Sequence, residues 1–219
     1  MASVIDDILP EEAVDEAAVK TASRPPLQSG DQLSADQFLS VDTSGWELID
    51  GTVVEKTMSG QSSWIGLRVA SDLLRYADDT GGWAFGDGTE FRCFGPEGET
   101  VRKPDAAYIK PGRLSQPPAV GAITLVPDLA VEVISPHDVM YDVQAKLAMY
   151  CDAGVSRVWI VHPQLRAVDV LDCGTGHTQR LTGEAVLSDE AILPGFERPV
   201  IRFFPTPESV AGVDETAAG

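Results

Sequence analysis

Two acidic residues and a lysine are the side chains best suited to chemistry. Glu132 lies in the middle of the apolar stretch 128–134. Because burying an unpaired carboxylate costs much free energy, this acid needs a cation, a metal ion or a proton as its partner. Asp105 begins another apolar segment, and Lys146 belongs to the segment after Glu132. Together the three side chains suit a hard divalent cation such as Mg²⁺.

The same groups indicate a reaction. A bound divalent ion polarises a phosphoryl oxygen and lowers the pKa of a water molecule. A lysine ammonium nearby orients that water or stabilises the negative charge that develops. Asp105, Glu132 and Lys146 are therefore candidate catalytic residues for phosphodiester hydrolysis.

The elements that position these groups can be predicted from residue spacing. Residues 128–134 place apolar side chains on two faces, which predicts a strand. A helix is predicted to begin with either Ser135 or Asp138 as its cap, to run to about Asp152 and to end at Gly154. The predicted buried stripe of this helix consists of Val139, Val143, Leu147 and Tyr150. Lys146 borders the stripe and can present its ammonium at the edge of the sheet.

The remaining pattern is typical of a mixed domain. Segments 46–49 and 52–55 flank Asp50-Gly51, a pair that favours a two-residue hairpin turn. A helix is predicted at about 62–78. Further strands are predicted at 83–85, 89–94, 101–109, 157–162, 166–171, 177–181 and 200–204. The expected fold class is α/β or α+β, with a central mixed sheet flanked by helices and preceded by an N-terminal β-hairpin.

Length and charge limit the organisation of the chain. Its 219 residues carry a net charge of −18. We expect a flexible acidic arm over 1–35, one domain over 36–205 and a disordered tail over 206–219. No apolar run could span a membrane, and acids occupy the N-terminus where a signal peptide has basic residues. We therefore expect a cytoplasmic protein with no membrane partner, whose acidity is unfavourable for binding a polyanion.

The three cysteines are Cys93, Cys151 and Cys173. Their odd number and the lack of CxxC spacing argue against a disulfide framework, so we expect all three to be reduced. Two of them could bind zinc together with His162 and His177, but these spacings match no standard ligand pattern.

Five segments of the sequence resemble one protein family in their order and spacing. They are WELIDGTVVE, TVRKPDAAYI, PDLAVEVISP, YDVQAKLAMY and GVSRVWIVHP. Each segment is a weak signal alone. As an ordered set over roughly residues 44–171, they resemble the Uma2 family, also called DUF820, of the PD-(D/E)XK nuclease superfamily.

This resemblance implies a restriction-endonuclease-like fold and an endonuclease site that depends on Mg²⁺ or Mn²⁺. By position, Asp105 and Glu132 correspond to the metal-binding acids, and the backbone carbonyl of Val133 completes the metal shell. The motif usually has its lysine two residues after the second acid, where Ile134 stands. The resemblance places that lysine at Lys146 instead.

The resemblance also implies partners and shows one departure. The expected partner is nucleic acid, with DNA favoured, and nucleases of the superfamily often act as homodimers. Many relatives have a histidine near the start of the first helix, where this chain has Ser62 or Ser63. That departure removes an accessory base.

Structural roles remain open for the candidate residues. Asp142 precedes Lys146 by four positions, so the two could form an ordinary surface salt bridge. Asp105 could cap the start of a strand, and Glu132 could be purely structural. Asp128 also follows a proline but lies roughly 13 Å along the strand from Glu132, so we interpret it as structural.

Other polar and aromatic residues are assigned no chemistry. Glu47 and Glu90 are possible extra acids of the site, but each is expected to be an exposed strand residue. The histidines are expected in loops or at strand ends, and the four tryptophans in the core: His137, His162, His177, Trp46, Trp64, Trp83 and Trp159.

Two other functions remain open. The net acidity and the serine in place of histidine favour a non-catalytic binding or assembly protein that keeps the nuclease fold. A hydrolase of small phosphoesters would also tolerate the negative charge better than an enzyme acting on a polyanion.

Overall fold

The computed structural model describes residues 26–95, 98–136 and 138–206. These residues form three α-helices and twelve strands. The helices are α1 (Ala35–Leu39), α2 (Gly60–Thr80) and α3 (Met140–Ala153). The strands are β1 (Trp46–Ile49), β2 (Thr52–Glu55), β3 (Trp83–Gly86), β4 (Phe91–Phe94), β5 (Thr100–Arg102), β6 (Ala106–Ile109), β7 (Leu129–Val133), β8 (Arg157–His162), β9 (Ala167–Asp172), β10 (Thr178–Thr182), β11 (Val186–Asp189) and β12 (Leu193–Pro199).

A six-stranded mixed sheet, in the order β10-β9-β8-β7-β6-β3, forms the centre. Strands β7 and β8 are parallel and are connected through α3, whereas the other neighbours are antiparallel. A second sheet has the order β2-β1-β5-β4, and β11 pairs with β12. The chain passes from the second sheet to the central sheet between β5 and β6. Asp105 stands at this junction.

The β1–β2 hairpin confirms the turn prediction. Asp50 and Gly51 have φ angles of 48° and 77°, the positive values that a two-residue hairpin turn of this kind requires. Ile49 consequently pairs with Thr52. The hairpin contributes two residues to a small separate core, which consists of Leu27, Leu33, Ala35, Phe38, Leu48, Val53 and Val101.

Helix α2 confirms the helix predicted near 62–78 and is slightly longer. It begins after Ser59, whose side chain accepts a hydrogen bond from the backbone N–H of Ser62. Its buried stripe packs on the central sheet through Ile65, Val69 and Leu73. Although α2 has 21 residues, none of the described helices is long and apolar enough to cross a membrane.

Helix α3 is less buried than its spacing predicts. Of the predicted stripe, Tyr150 alone is fully buried; Val139 is 56% exposed, and Val143 and Leu147 are half-buried. Val139 and Val143 line an open cleft, which takes the place of the expected core contact. The C-terminal part of α3 is anchored by Tyr150, whose ring lies 4.7 Å from that of Phe94.

Three parts of the predicted strand pattern are wrong or incomplete. Residues Val200–Phe203 form a 3₁₀ helix, not a strand, and bury Val200 and Phe203 without joining a sheet. The predicted strand 101–109 is interrupted at Pro104, which has no backbone N–H to donate. The elements α1, β11 and β12 were not predicted: α1 and β11 have only five and four residues, and β12 contains two prolines and a glycine, which favour loops.

Packing of the domain begins before residue 36. Leu27 and Leu33 are buried, and Gln32 forms a β-bridge with Thr52. Part of the predicted arm 1–35 therefore belongs to the folded body. The rest of that arm, residues 1–25, and residues 207–219 of the predicted tail lie outside the described residues.

The expectation of three reduced cysteines is wrong for two of them. Cys151 and Cys173 form a disulfide that joins the last turn of α3 to the residue after β9. Cys93 is free, and burial raises the pKa of its thiol to about 12. The spacing of the cysteines could not reveal the pair, because it depends on where α3 ends relative to the sheet.

Candidate active site

A cleft of about 560 Å³ lies beside α3. Its walls come from the β1–β2 hairpin, the β5–β6 junction, the end of β7 and one side of α3. The four residues predicted for the site, Asp105, Glu132, Val133 and Lys146, all line this cleft. Residues distant in sequence are thus brought together at one place.

Asp105 is fixed between two strands and a lysine. Its Oδ2 accepts a hydrogen bond of 2.7 Å from the backbone N–H of Val133 on β7. Its Oδ1 lies 2.9 Å from Nζ of Lys56 but makes no well-directed hydrogen bond. The side chain is 4% exposed. The carboxylate is therefore oriented by the backbone and retains an acceptor that is incompletely satisfied.

Glu132 has a partner on each carboxylate oxygen. Nζ of Lys146 donates to Oε2 at 2.7 Å, and the hydroxyl of Tyr150 donates to Oε1 at 2.6 Å. Both partners lie on α3, one turn apart, so a single face of the helix holds the carboxylate. The partner that the buried acid requires is therefore a lysine, supplemented by a phenol.

The electrostatics of this group follow from burial and close charges. Burial raises the pKa of Glu132, and the nearby Lys146 opposes that shift without cancelling it. Burial alone would lower the pKa of Lys146, but the carboxylates of Glu132 and Glu47 outweigh it and raise the pKa. Burial and the same two carboxylates raise the pKa of Tyr150 well above its ordinary value. The ammonium and the phenol thus remain protonated at neutral pH.

Glu47, a possible extra acid in the sequence that was expected to be exposed, lines the cleft. Instead of being exposed, it is 5% exposed and accepts hydrogen bonds from Arg102 at 2.9 Å and from the backbone N–H of Lys103 at 2.7 Å. Its Oε1 also lies 3.6 Å from Nζ of Lys146. Burial opposes ionisation of Glu47, but the charges of Lys146 and Arg102 outweigh it and lower the pKa to about 2. Glu47 is therefore ionised at neutral pH, and its negative charge stabilises the ammonium of Lys146.

Lys56 is the second component that the sequence did not reveal. It follows β2, and its ammonium reaches Asp87 at 2.5 Å, the carbonyl oxygen of Lys103 at 2.6 Å and Asp105 at 2.9 Å. A lysine five residues beyond the hairpin turn carries no sequence signal of this role. Its proximity to Asp105 depends on how β2 and the β5–β6 junction meet.

Comparison with known proteins identifies the family. The model of the Uma2 family, described as "Putative restriction endonuclease", matches residues 35–201. The chain belongs to the Uma2 family. This confirms the resemblance that the sequence motifs carry.

One solved structure supports the Uma2 assignment through its fold. It is described as a "putative nuclease belonging to DUF820" from Anabaena variabilis ATCC 29413, and it superposes with a TM-score of 0.65 at 19% sequence identity. The match covers 78% of this chain and 98% of the other. The likeness shows a shared, restriction-endonuclease-like fold, as predicted. Among curated proteins, none matched this chain.

The donor set of this Uma2 site fits a hard divalent cation. Within the described residues, no three acidic, histidine or cysteine side chains cluster as metal ligands. A Mg²⁺ ion, however, needs only one or two carboxylates, because water and other oxygen atoms fill its remaining positions. Asp105 offers the buried oxygen that lacks a well-directed hydrogen bond, and its charge helps to raise the pKa of Glu132. The two carboxylates are thus close enough to interact.

The contacts of Lys146, Asp128 and Glu90 bear on the structural roles that the sequence left open for them. Lys146 is directed to Glu132, and none of the ion pairs found in the described part of the chain joins it to Asp142. Asp128 is held by the backbone of Lys110 and by Arg113, as expected for a structural acid. Glu90 is half-buried, not exposed, and accepts a hydrogen bond from Thr43.

Other residues singled out in the sequence lie outside the Uma2 cleft. Ser62 is buried beside Ser59 at the start of α2, where its hydroxyl lies 2.8 Å from that of Ser59. His162 is paired with Asp169 at the end of β8, whereas His137 falls outside the described residues. Trp159 is buried as expected, but Trp64 is 38% exposed on α2, contrary to the expectation of a core residue.

Proposed function

We propose that this protein is an endonuclease that hydrolyses phosphodiester bonds of nucleic acid with Mg²⁺ or Mn²⁺. The carboxylates of Asp105 and Glu132 and the carbonyl oxygen of Val133 would hold the ion. When bound, the ion would supply the Lewis acidity that polarises a phosphoryl group. One observation carries the proposal: two buried carboxylates, Asp105 immediately before β6 and Glu132 on the neighbouring strand β7, share a cleft with a lysine that touches one of them.

The environment of Lys146 narrows its role. Its pKa is raised by Glu132 and Glu47 despite burial, so the side chain carries a proton at neutral pH. An ammonium can donate hydrogen bonds to an attacking water or stabilise negative charge on a phosphoryl group, but it cannot accept a proton. Lys146 is therefore proposed as a donor and electrostatic stabiliser.

The charge of the cleft supports the need for a cation. Its acidic lining residues are Glu47, Asp50, Glu55, Asp105, Glu132, Asp138 and Asp142; its basic ones are Lys56, Arg102 and Lys146. With seven acids against three bases, the cleft repels a phosphodiester unless a cation is present. A divalent ion would join the acidic cleft to the anionic substrate.

A cleavage assay tests this function. Purified protein would be incubated with plasmid, single-stranded DNA and RNA, each with Mn²⁺ and with EDTA. We expect cleavage of DNA with Mn²⁺ only, and loss of cleavage in Asp105→Ala and Glu132→Ala. Calorimetric titration with Mn²⁺ checks the site separately, and equal binding by wild type and both variants would refute the assignment of the ligands.

A second function is favoured by the lysines that already pair with the two carboxylates. Asp105 is held by Lys56, and Glu132 is held by both Lys146 and Tyr150. A site whose carboxylates are neutralised internally also suits a non-catalytic binding or assembly protein. Absence of cleavage on all three nucleic acids, together with absence of Mn²⁺ binding, would favour this function.

Location and assembly are part of the proposal. We propose that the nuclease acts in the cytoplasm. A disulfide such as Cys151–Cys173 is uncommon there, because thiols are kept reduced. Assembly as a homodimer follows from the resemblance to superfamily nucleases. Sedimentation velocity on the full chain tests it, with a mass of one chain, 23.4 kDa, arguing against a dimer.

A further inference from the structure

Lys56 occupies the position of a counter-cation in the cleft. Its ammonium donates hydrogen bonds to Asp87 and to the carbonyl oxygen of Lys103, and it forms an ion pair with Oδ1 of Asp105 at 2.9 Å. Two of the three N–H donors of the ammonium are thus engaged in hydrogen bonds. The side chain is 11% exposed, so the positive charge is enclosed beside the Asp105 carboxylate.

The contact with Asp105 involves the oxygen that a metal ion needs. Oδ2 of Asp105 is committed to the backbone N–H of Val133, which leaves Oδ1 for another partner. That oxygen faces Lys56. Since Mg²⁺ binds oxygen ligands at about 2.0–2.1 Å, it cannot share Oδ1 with an ammonium without strong repulsion between the two cations.

A second partner would allow the lysine to move. Asp87 lies on the turn after β3 and is 47% exposed, whereas Asp105 is 4% exposed. A lysine stem has four rotatable carbons, and an ammonium that leaves Asp105 can remain paired with Asp87 at the solvent side. The chain therefore offers a place for the displaced charge.

We infer that Lys56 is an internal competitor for the metal ion: it occupies Asp105 in the metal-free protein and must be displaced before a divalent cation binds there. This inference rests on the proposed metal site. Lys56, the residue that follows the hairpin, would thereby control the affinity of the site for the ion. The cost of displacing the lysine lowers that affinity.

Calorimetric titration with Mn²⁺ on the full chain tests the inference. Lys56→Met keeps the length of the side chain and removes its charge, and we expect it to bind Mn²⁺ at least tenfold more tightly than wild type. Lys56→Arg keeps the charge and should bind weakly, as wild type does. Lys110→Met is the matched control, because it removes a lysine that contacts the carbonyl of Ala191 outside the cleft.

A second measurement guards against misfolding of the variant. The thermal unfolding midpoint of each protein would be measured with and without Mn²⁺, and a larger Mn²⁺-dependent increase in Lys56→Met than in wild type supports the competition. If wild type binds Mn²⁺ and Lys56→Met binds it equally or more weakly, the competitor role is refuted while the metal site stands. If none of the proteins binds Mn²⁺, both the metal site and the inference are refuted.

Discussion

The ammonium of Lys146 lies 2.7 Å from Oε2 of Glu132, although the two residues are fourteen positions apart and belong to different elements. The pairing results from the crossover in which β7 leads into α3, which returns beside the same sheet. A lysine on the helix thereby reaches the acid on the strand. Helix α3 thus supplies the lysine that the motif usually has two residues after the second acid, where this chain has Ile134.

Replacing Lys146 by methionine is expected to abolish cleavage. The change removes the proposed donor to water and phosphate while keeping most of the stem, so we expect Mn²⁺-dependent cleavage to fall by at least ~100-fold. Rates would be measured on plasmid DNA at saturating Mn²⁺. Lys110→Met removes an equal charge outside the cleft and should retain the wild-type rate. Full activity of Lys146→Met would contradict the role of the lysine.

The location of this pair shows what the sequence can predict. Glu132 could be recognised as a site residue from the sequence, because an acid between β-branched residues in a strand must have a partner. Lys146 could be found because helical spacing places it on the border of the apolar stripe. Their neighbours Glu47 and Lys56 could not be found in this way. An acid in a hairpin strand has the same local pattern whether it faces water or, as here, Arg102.

Secondary-structure elements could likewise be predicted only where the local sequence pattern was sufficient. The Asp50-Gly51 turn and α2 were predictable because local backbone preference and tertiary packing agree there. The segment Val200–Phe203 was mistaken for a strand because a short apolar run looks the same in a strand and in a buried 3₁₀ turn. Tertiary packing determines which of the two conformations forms, and the local sequence pattern contains no information about that packing.

Replacing Tyr150 by phenylalanine is expected to destabilise the fold by about 1–3 kcal/mol. The phenol donates a 2.6 Å hydrogen bond to Oε1 of Glu132, and its loss leaves a buried carboxylate oxygen without that donor. Urea unfolding at pH 7 would measure the change. Tyr141→Phe is the control, because Tyr141 on the same helix is 83% exposed, and it should change stability by less than about 0.5 kcal/mol.

Glu47 is expected to make stability depend on acid pH. Its pKa in the folded protein is about 2, below the ordinary value of 4.5. A depressed pKa means that the contribution to stability is present above about pH 4.5 and is lost as the pH falls towards 2. Glu47→Gln should therefore be less stable than wild type by about 3 kcal/mol at pH 7. The difference should shrink at pH 3.

Denaturant unfolding of both proteins at pH 7, 5 and 3 measures this dependence. Glu55→Gln provides the matched control, since Glu55 lies on the same hairpin and is exposed. It should differ little from wild type at every pH. A gap between wild type and Glu47→Gln that stays constant down to pH 3 would show that the carboxylate is not held ionised by Lys146 and Arg102.

The disulfide between Cys151 and Cys173 is expected to stabilise the oxidised protein. Its partners are 22 residues apart, and closing a loop of that size in the unfolded chain corresponds to about 3 kcal/mol. Cys173→Ser should lower the free energy of unfolding by roughly that amount without reductant. With dithiothreitol, wild type should fall to nearly the same value, because the loop is then open in both proteins.

Thiol titration of the denatured chain checks the bond directly. The sequence has three cysteines and the structure leaves Cys93 free, so one thiol per chain is expected before reduction and three after it. Three reactive thiols in protein purified without reductant would show that the bond does not form. In that case Cys173→Ser should have a small effect on stability, limited to the packing of one side chain at the end of β9.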